Sequence, residues 1–280
     1  MPSSKPPTGS ESRKSPDAPQ QPGKPTPTDA PQQPGKPTPT DAPPPPGKPT
    51  PPEAPELIWL RPERTGRGPR PAHSRDSIAT AAIGIADAEG LDAVSMRRVA
   101  AALGAGTMSL YNYVPKKEHL LDLMLDAVTG EYRLPPAPSG DVRADLADLA
   151  HQQLGISRRH PWLPALLLAR PSLGPNALRY TDHFLAVTAP TGLGGGARME
   201  AMALFNGFIT QFAQFEQTAA AGAKWQAELV GYLGQAAASG EFPHLAQAFA
   251  TAGPPADPDK AFDRTLDRVI SAILTPATDD

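Results

Sequence analysis

Of the chain's 37 prolines, 23 fall within its first 71 residues, and this imbalance decides how much of it can pack. A twelve-residue unit recurs there: DAPQQPGKPTPT starts at Asp17 and again at Asp29, and DAPPPPGKPTPP starts at Asp41. Proline fixes φ and removes a backbone donor, and the unit has no recurring apolar face to bury against chain entropy. Residues 1–70 are therefore expected to form a disordered arm of polyproline II character. Its core-type residues cluster at Leu57-Ile58-Trp59-Leu60, and deleting residues 1–60 is expected to leave the melting temperature nearly unaltered.

From Ser74 onward apolar residues recur at helical spacing and no alternating strand pattern appears. Ser74 or Asp76 is placed to cap a helix carrying Ile78, Ala82 and Ile85 and ending at Glu89-Gly90. Gly84 inside it costs about 1 kcal/mol against alanine, which predicts close packing against a neighbour. Ser95 caps a second helix with Met96, Val99, Ala100 and Leu103 inward. A turn at Gly104-Ala105-Gly106 leads to a third helix, capped by Thr107 and running to about Tyr113, with Leu110 and Val114 facing the core. Pro115 opens a fourth, continued by Leu120, Leu121, Met124, Leu125 and Val128. The spacing predicts further helices over 141–159, 162–170, 174–189, 196–221, 224–238 and 258–274. The fold class is all-α: an N-terminal three-helix helix-turn-helix domain (71–133), then a larger helical effector-binding and dimerisation domain (134–280), after the arm (1–70).

Two short helices joined by a small-residue turn over Ser95–Glu118 form a shape that fits one helix into the major groove of DNA. Charge agrees with this. Residues 1–60 carry six cations and six anions, residues 61–118 nine and six, and residues 119–280 eleven and seventeen. The positive excess sits on the candidate groove-binding segment. Five arginines ahead of the first helix (Arg61, Arg64, Arg67, Arg70 and Arg75) make a basic linker that suits a minor groove or the phosphate backbone.

Residues 90–128, GLDAVSMRRVAAALGAGTMSLYNYVPKKEHLLDLMLDAV, closely resemble the DNA-binding domain of the Tet repressor (TetR) family. The resemblance rests on the small-residue turn, the LYNYV ending of the third helix and the following K-x-x-L-L pattern, and it covers roughly residues 74–130. The stretch RRHPWLPALLLARPSLGPNALRY also looks like the effector domain of the branch containing the tetracycline repressor itself. The resemblance implies a homodimeric, all-helical repressor that binds a pseudo-palindromic double-stranded operator and is released by a small hydrophobic effector. The alternatives from other classes are a transcriptional activator and a protein-interaction adaptor docking through the proline arm.

The chemistry of individual residues fits the first reading. Arg97 suits a bidentate bond to guanine O6 and N7, worth ~1–3 kcal/mol of discrimination. Thr107, Met108 and Ser109 occupy the first turn of the third helix, where hydroxyls and apolar atoms meet base edges and thymine methyls. Tyr111 and Tyr113 extend phenols toward phosphates. Lys117 adds its charge to a helix N-terminus. Asn112 either donates to a phosphate or ends the helix. Arg98 faces solvent or pairs with an acid, and Lys116 is solvated or near the backbone.

For an effector, the 196–221 helix is broadly apolar, and it shares candidates with its neighbours: Trp162, Phe184, Met202, Phe205, Asn206, Phe208, Gln211 and Phe212, with His151 and His183 as polar anchors. The same apolar breadth in this helix and in the last one, which carries Phe262, Leu266, Val269, Ile270 and Ile273, points to a dimer interface.

Other classes find little support. The chain has no cysteine, so a disulfide framework, a thiolate nucleophile and a Cys-type zinc site are excluded. Its histidines come no closer in sequence than His151 and His160, which implies no metal site, and no cofactor is called for. The run Gly192-Leu193-Gly194-Gly195-Gly196 follows a helix and lacks the Lys-Ser/Thr of a phosphate loop, so catalysis is not expected. No apolar run suits a membrane and no signal-peptide core is present, so a cytoplasmic location is expected.

Overall fold

The computed structural model describes residues 57–62, 73–253 and 257–275. These belong to one compact unit, Glu53–Asp280. Most of the expected disordered arm lies outside the described residues.

Eleven α-helices are present among the described residues, and no strand. The first four are α1 (Arg75–Glu89), α2 (Met96–Ala102), α3 (Thr107–Tyr111) and α4 (Lys117–Thr129). Then follow α5 (Val142–Arg159), α6 (Leu163–Ala169), α7 (Pro175–Thr188), α8 (Gly195–Ala221), α9 (Ala223–Ala238), α10 (Pro243–Thr251) and α11 (Pro258–Leu274).

Side chains cap the helices where short polar residues precede them. The Ser74 hydroxyl accepts from Ser77 N–H at 3.1 Å, while the Ser77 hydroxyl accepts from Ser74 N–H at 3.0 Å, a reciprocal box that starts α1. Ser95 and Asp141 start α2 and α5 in the simpler way. Two expected starts shift. Gly106, not Thr107, is the N-cap of α3, and Lys116 is the N-cap of α4, leaving Pro115 outside that helix. The third helix also stops at Tyr111, two residues early, because Tyr113 and Val114 close back onto Leu110.

Two hydrophobic clusters hold the body together. The first gathers Ile78, Ala82, Val99, Leu110, Val114, Leu120 and Met124 from α1–α4, and reaches Ile156, Trp162, Leu163 and Leu166 beyond them. The second joins α5, α7, α8 and α11 through Leu146, Phe184, Phe205, Ile209, Phe262, Leu266 and Ile270. Tyr132 packs against both. The core of the helix-turn-helix is thus continuous with α6.

Several expectations are corrected. Ile58, assigned to the arm, sits in a single 3-10 turn (Ile58–Leu60) and is fully buried in the first cluster. Gly84 is exposed, and a β-carbon there would meet nothing within 4 Å, so no close neighbour explains it. The apolar stripe of α11 lies inside the second cluster of its own chain rather than on an outer face. Helix α10 was not anticipated. No described helix is long and apolar enough to cross a membrane.

Candidate nucleic-acid interface and effector cavity

The turn between α2 and α3 is built by its backbone. Gly104 adopts φ +64, Ala105 N–H bonds Ala100 O at 2.8 Å, and Gly104 N–H bonds Ala101 O at 3.1 Å. This paired closure at a left-handed glycine ends α2 and aims the chain into α3. Leu110 and Val114 anchor α3 from beneath. The opposite side therefore faces outward: Arg97, Met108, Ser109, Tyr111, Asn112 and Lys117 are exposed, and Thr107 and Tyr113 are half-buried. Met108 is 78% exposed, the highest value among the large apolar side chains of the described residues. Tyr113 packs partly on the first cluster, whereas Tyr111 stands clear. Arg98 is held away by a two-pronged ion pair with Glu89, which bridges α2 to the end of α1.

A cavity of about 330 Å³ lies between α4, α5, α6, α7 and α8. Val128 and Thr129 of α4, Leu163 and Leu167 of α6, and Ala177 of α7 supply much of its apolar wall. Its polar groups form a short chain. The Tyr132 and Tyr180 rings lie 4.6 Å apart, and the Tyr180 hydroxyl donates to Asn206 Oδ1 at 2.6 Å. Burial pushes both phenols up from their ordinary range. Gln153 donates through Nε2 to Thr210 Oγ1 at 3.1 Å.

Of the residues expected to touch an effector, Met202 and Asn206 line this cavity. The other eight lie elsewhere. Phe184 and Phe205 pair at 5.4 Å in the sealed second cluster, and Phe208 and Phe212 pack on Phe262. Trp162 donates its indole N–H to Asp87 at 2.7 Å, and exposed His151 bonds Asp263 at 2.9 Å on the outer side of α5. Gln211 is exposed and His183 half-buried, neither lining the cavity. Sequence reasoning missed Tyr132, Gln153, Arg170 and Tyr180. A signal existed for Gln153: it shares the α5 face of Leu146, Leu149 and Ala150, a polar residue where the period calls for an apolar one.

Three polar ties bind α4 and its flanks to neighbouring elements. Asp122 of α4 accepts from Arg170 at 2.8 and 3.1 Å, and Arg170 lines the cavity. Asp126, buried on the same helix, accepts from the backbone N–H groups of Asn176 (2.9 Å) and Ala177 (3.1 Å), capping α7 from outside. Gly174 lies so close that a β-carbon there would overlap the Asp126 carboxylate. Burial pushes that carboxyl up, opposed by the two backbone bonds. The third tie is His160, whose two ring nitrogens each face a carboxylate at 2.8 Å: Asp87 of α1 and Glu131 just after α4. Burial alone would raise the Glu131 carboxyl, but bonds from Arg159 and His160 outweigh it and hold it below its ordinary 4.5.

A groove-shaped helix pair on a helical body with an internal cavity defines a DNA-binding protein controlled by a small molecule. Comparison with known proteins gives the particular family. Residues 78–124 match the bacterial regulatory proteins of the tetR family, and residues 134–276 match the Tetracyclin repressor-like C-terminal domain. The HTH-type transcriptional repressor DrrR1 of Streptomyces coeruleorubidus is 42% identical over 202 residues, which are 68% of this chain and 74% of that protein. Apo ActR from Streptomyces coelicolor superposes with a TM-score of 0.64 at 29% identity, covering 74% of this chain and 99% of that one. ActR in complex with actinorhodin superposes at 0.63 with 30% identity, covering 73% and 97%. The chain belongs to the TetR family and is a dimeric, DNA-binding, ligand-responsive transcriptional repressor.

Proposed function

We propose that the exposed face of α2–α3 reads the operator and that the cavity holds the effector that releases it. Arg97, Thr107, Met108 and Ser109 are the base-reading set, and Tyr111, Asn112, Tyr113 and Lys117 hold the phosphate backbone. The observation that carries the coupling is the double role of α4. Its Val128 and Thr129 form cavity wall, its Asp122 and Asp126 grip the walls' polar groups, and its first residue, Lys117, stands beside the DNA-facing surface. An effector that displaces these walls tilts α4 and changes the separation of the two recognition helices. Only a ligand with different affinity for the two arrangements shifts that balance. ActR, which this chain resembles across most of its length, is held in complex with actinorhodin, and this supports a small-molecule effector here.

The dimer surface in this reading lies on α8 and α9. Leu204 and Phe215 of α8 and Trp225, Val230 and Tyr232 of α9 are large apolar side chains left exposed in the single chain. The protein acts in the cytoplasm by binding alone, without a chemical step.

Fluorescence anisotropy on a palindromic duplex from the chain's own upstream region tests the docking. Arg97→Ala should relax preference at one base pair per half-site, losing about 1–3 kcal/mol of discrimination. Lys117→Ala should weaken all duplexes alike and flatten the dependence on salt. Unchanged binding by both variants sinks the assignment.

A further inference from the structure

The cavity's own hydrogen-bond accounts are unequal, and the imbalance describes what fits. Several of its donors are engaged within the wall: the Tyr180 hydroxyl to Asn206 Oδ1, Gln153 Nε2 to Thr210, and Arg170 to Asp122. Two buried polar atoms in the lining are left over, Gln153 Oε1 and Ser172 Oγ. Gln153 is only 4% exposed, so bulk water does not reach it freely. An amide oxygen is an acceptor only, and one kept buried without a donor costs on the order of 1–3 kcal/mol. Its Nε2 bonds to Thr210 Oγ1 and Asn206 O fix which way the amide points, so the unmatched atom is the oxygen.

Charge is balanced as well. Arg170, the cationic residue in the lining, is paired with Asp122, and the two phenols remain neutral because burial raises them. Nothing in the wall offers a net charge to a carboxylate or an ammonium group, and such a group would lose its hydration without a matched partner. The remaining surface is apolar or aromatic, and the volume is in the range that encloses a drug-sized molecule.

Resting on the effector reading of this cavity, we infer that its ligand is an uncharged, mainly apolar ring compound that donates a hydroxyl to Gln153 Oε1, with Ser172 Oγ as a second partner. Discrimination then comes from the acceptor: an analogue lacking the donor leaves the amide oxygen buried and unpaired, a penalty that apolar contact does not offset. Gln153 is the specificity-determining residue of the site.

Three probes sharing one ring system separate the alternatives: 6-hydroxyflavone, 6-methoxyflavone and flavone-6-carboxylate, titrated by calorimetry into the full chain near neutral pH. The hydroxyl compound should bind at least about tenfold more tightly than either of the others. Gln153→Leu should bring it down to the level of the methyl ether while leaving the ether's own affinity in place. Because the comparison among probes needs no variant, it stands even if Gln153→Leu folds poorly. Equal affinities for all three, or tightest binding of the carboxylate, overturns the donor inference. A cavity-filling Ala203→Trp variant localises the binding. If it binds the hydroxyflavone as well as the native chain does, or if none of the probes binds the native chain, the effector reading of the cavity falls, and this inference with it.

Discussion

Met108 stands 78% exposed on the first turn of α3, while Leu110, two residues on, is 1% exposed. That contrast fixes the orientation of the recognition helix, and alternation of this kind was legible in the sequence because it depends on spacing within one turn. The caps at Ser74 and Ser95 were legible for the same reason: each is a local exchange of hydrogen bonds within three residues. Gln153 was not recognised, since its importance depends on Thr210 and Asn206, more than fifty positions away. Gly84 was misread because an exposed glycine and a tightly packed one look alike in a helical pattern. Since nothing crowds it, Gly84→Ala should stabilise the protein by about 1 kcal/mol in urea unfolding; destabilisation would show that a neighbour does pack there. Glu131 gives a pH test. Its carboxyl is lowered in the folded protein, so its contribution is present above its ordinary 4.5 and is lost as pH falls through the lower folded value. The stability gap between the native chain and Glu131→Gln should therefore be open near neutrality and close on acidification. A gap that widens toward acid contradicts the tie to Arg159 and His160.

Among the elements, α4 does two jobs, and only one shows in its sequence. Its apolar face, Leu120, Leu123, Met124 and Val128, announced a core helix. The acids Asp122 and Asp126 of the same helix hold Arg170 and the start of α7, partners about fifty residues away that local spacing does not reveal. Removing the outside cap with Asp126→Ala should cost about 1–3 kcal/mol of stability by thermal or urea unfolding; a neutral result would mean that water replaces the carboxylate at no loss. The proline arm holds the other surprise. Composition correctly marked a segment poor in core residues, but it could not show that Ile58 reaches the first cluster and is fully buried there. Ile58→Ala should destabilise by about 2–5 kcal/mol, and loss of residues 1–60 should lower the melting temperature accordingly. The α10 helix escaped notice because it is nine residues long, starts at Pro243 and leaves none of its residues buried.

For the molecule as a whole, helical class and the helix-turn-helix were readable because both follow from local period, turn glycines and caps. The cavity was not, since five helices distant in sequence each contribute part of its wall. The central claim is that an occupied cavity moves the two recognition helices of the dimer relative to each other. The chain has no cysteine, so an Ala101→Cys variant, altered at an exposed position of α2, carries a single spin label per protomer. Electron–electron double resonance then reads the label-to-label distance across the dimer, first with a palindromic duplex bound and then with 6-hydroxyflavone at saturation. The operator-bound distance should be narrowly distributed, as half-sites spaced about 34–36 Å apart require. Filling the cavity should displace it by a few ångströms and free the duplex. An unchanged distance with the flavone shown to be bound in the cavity would contradict the coupling through α4.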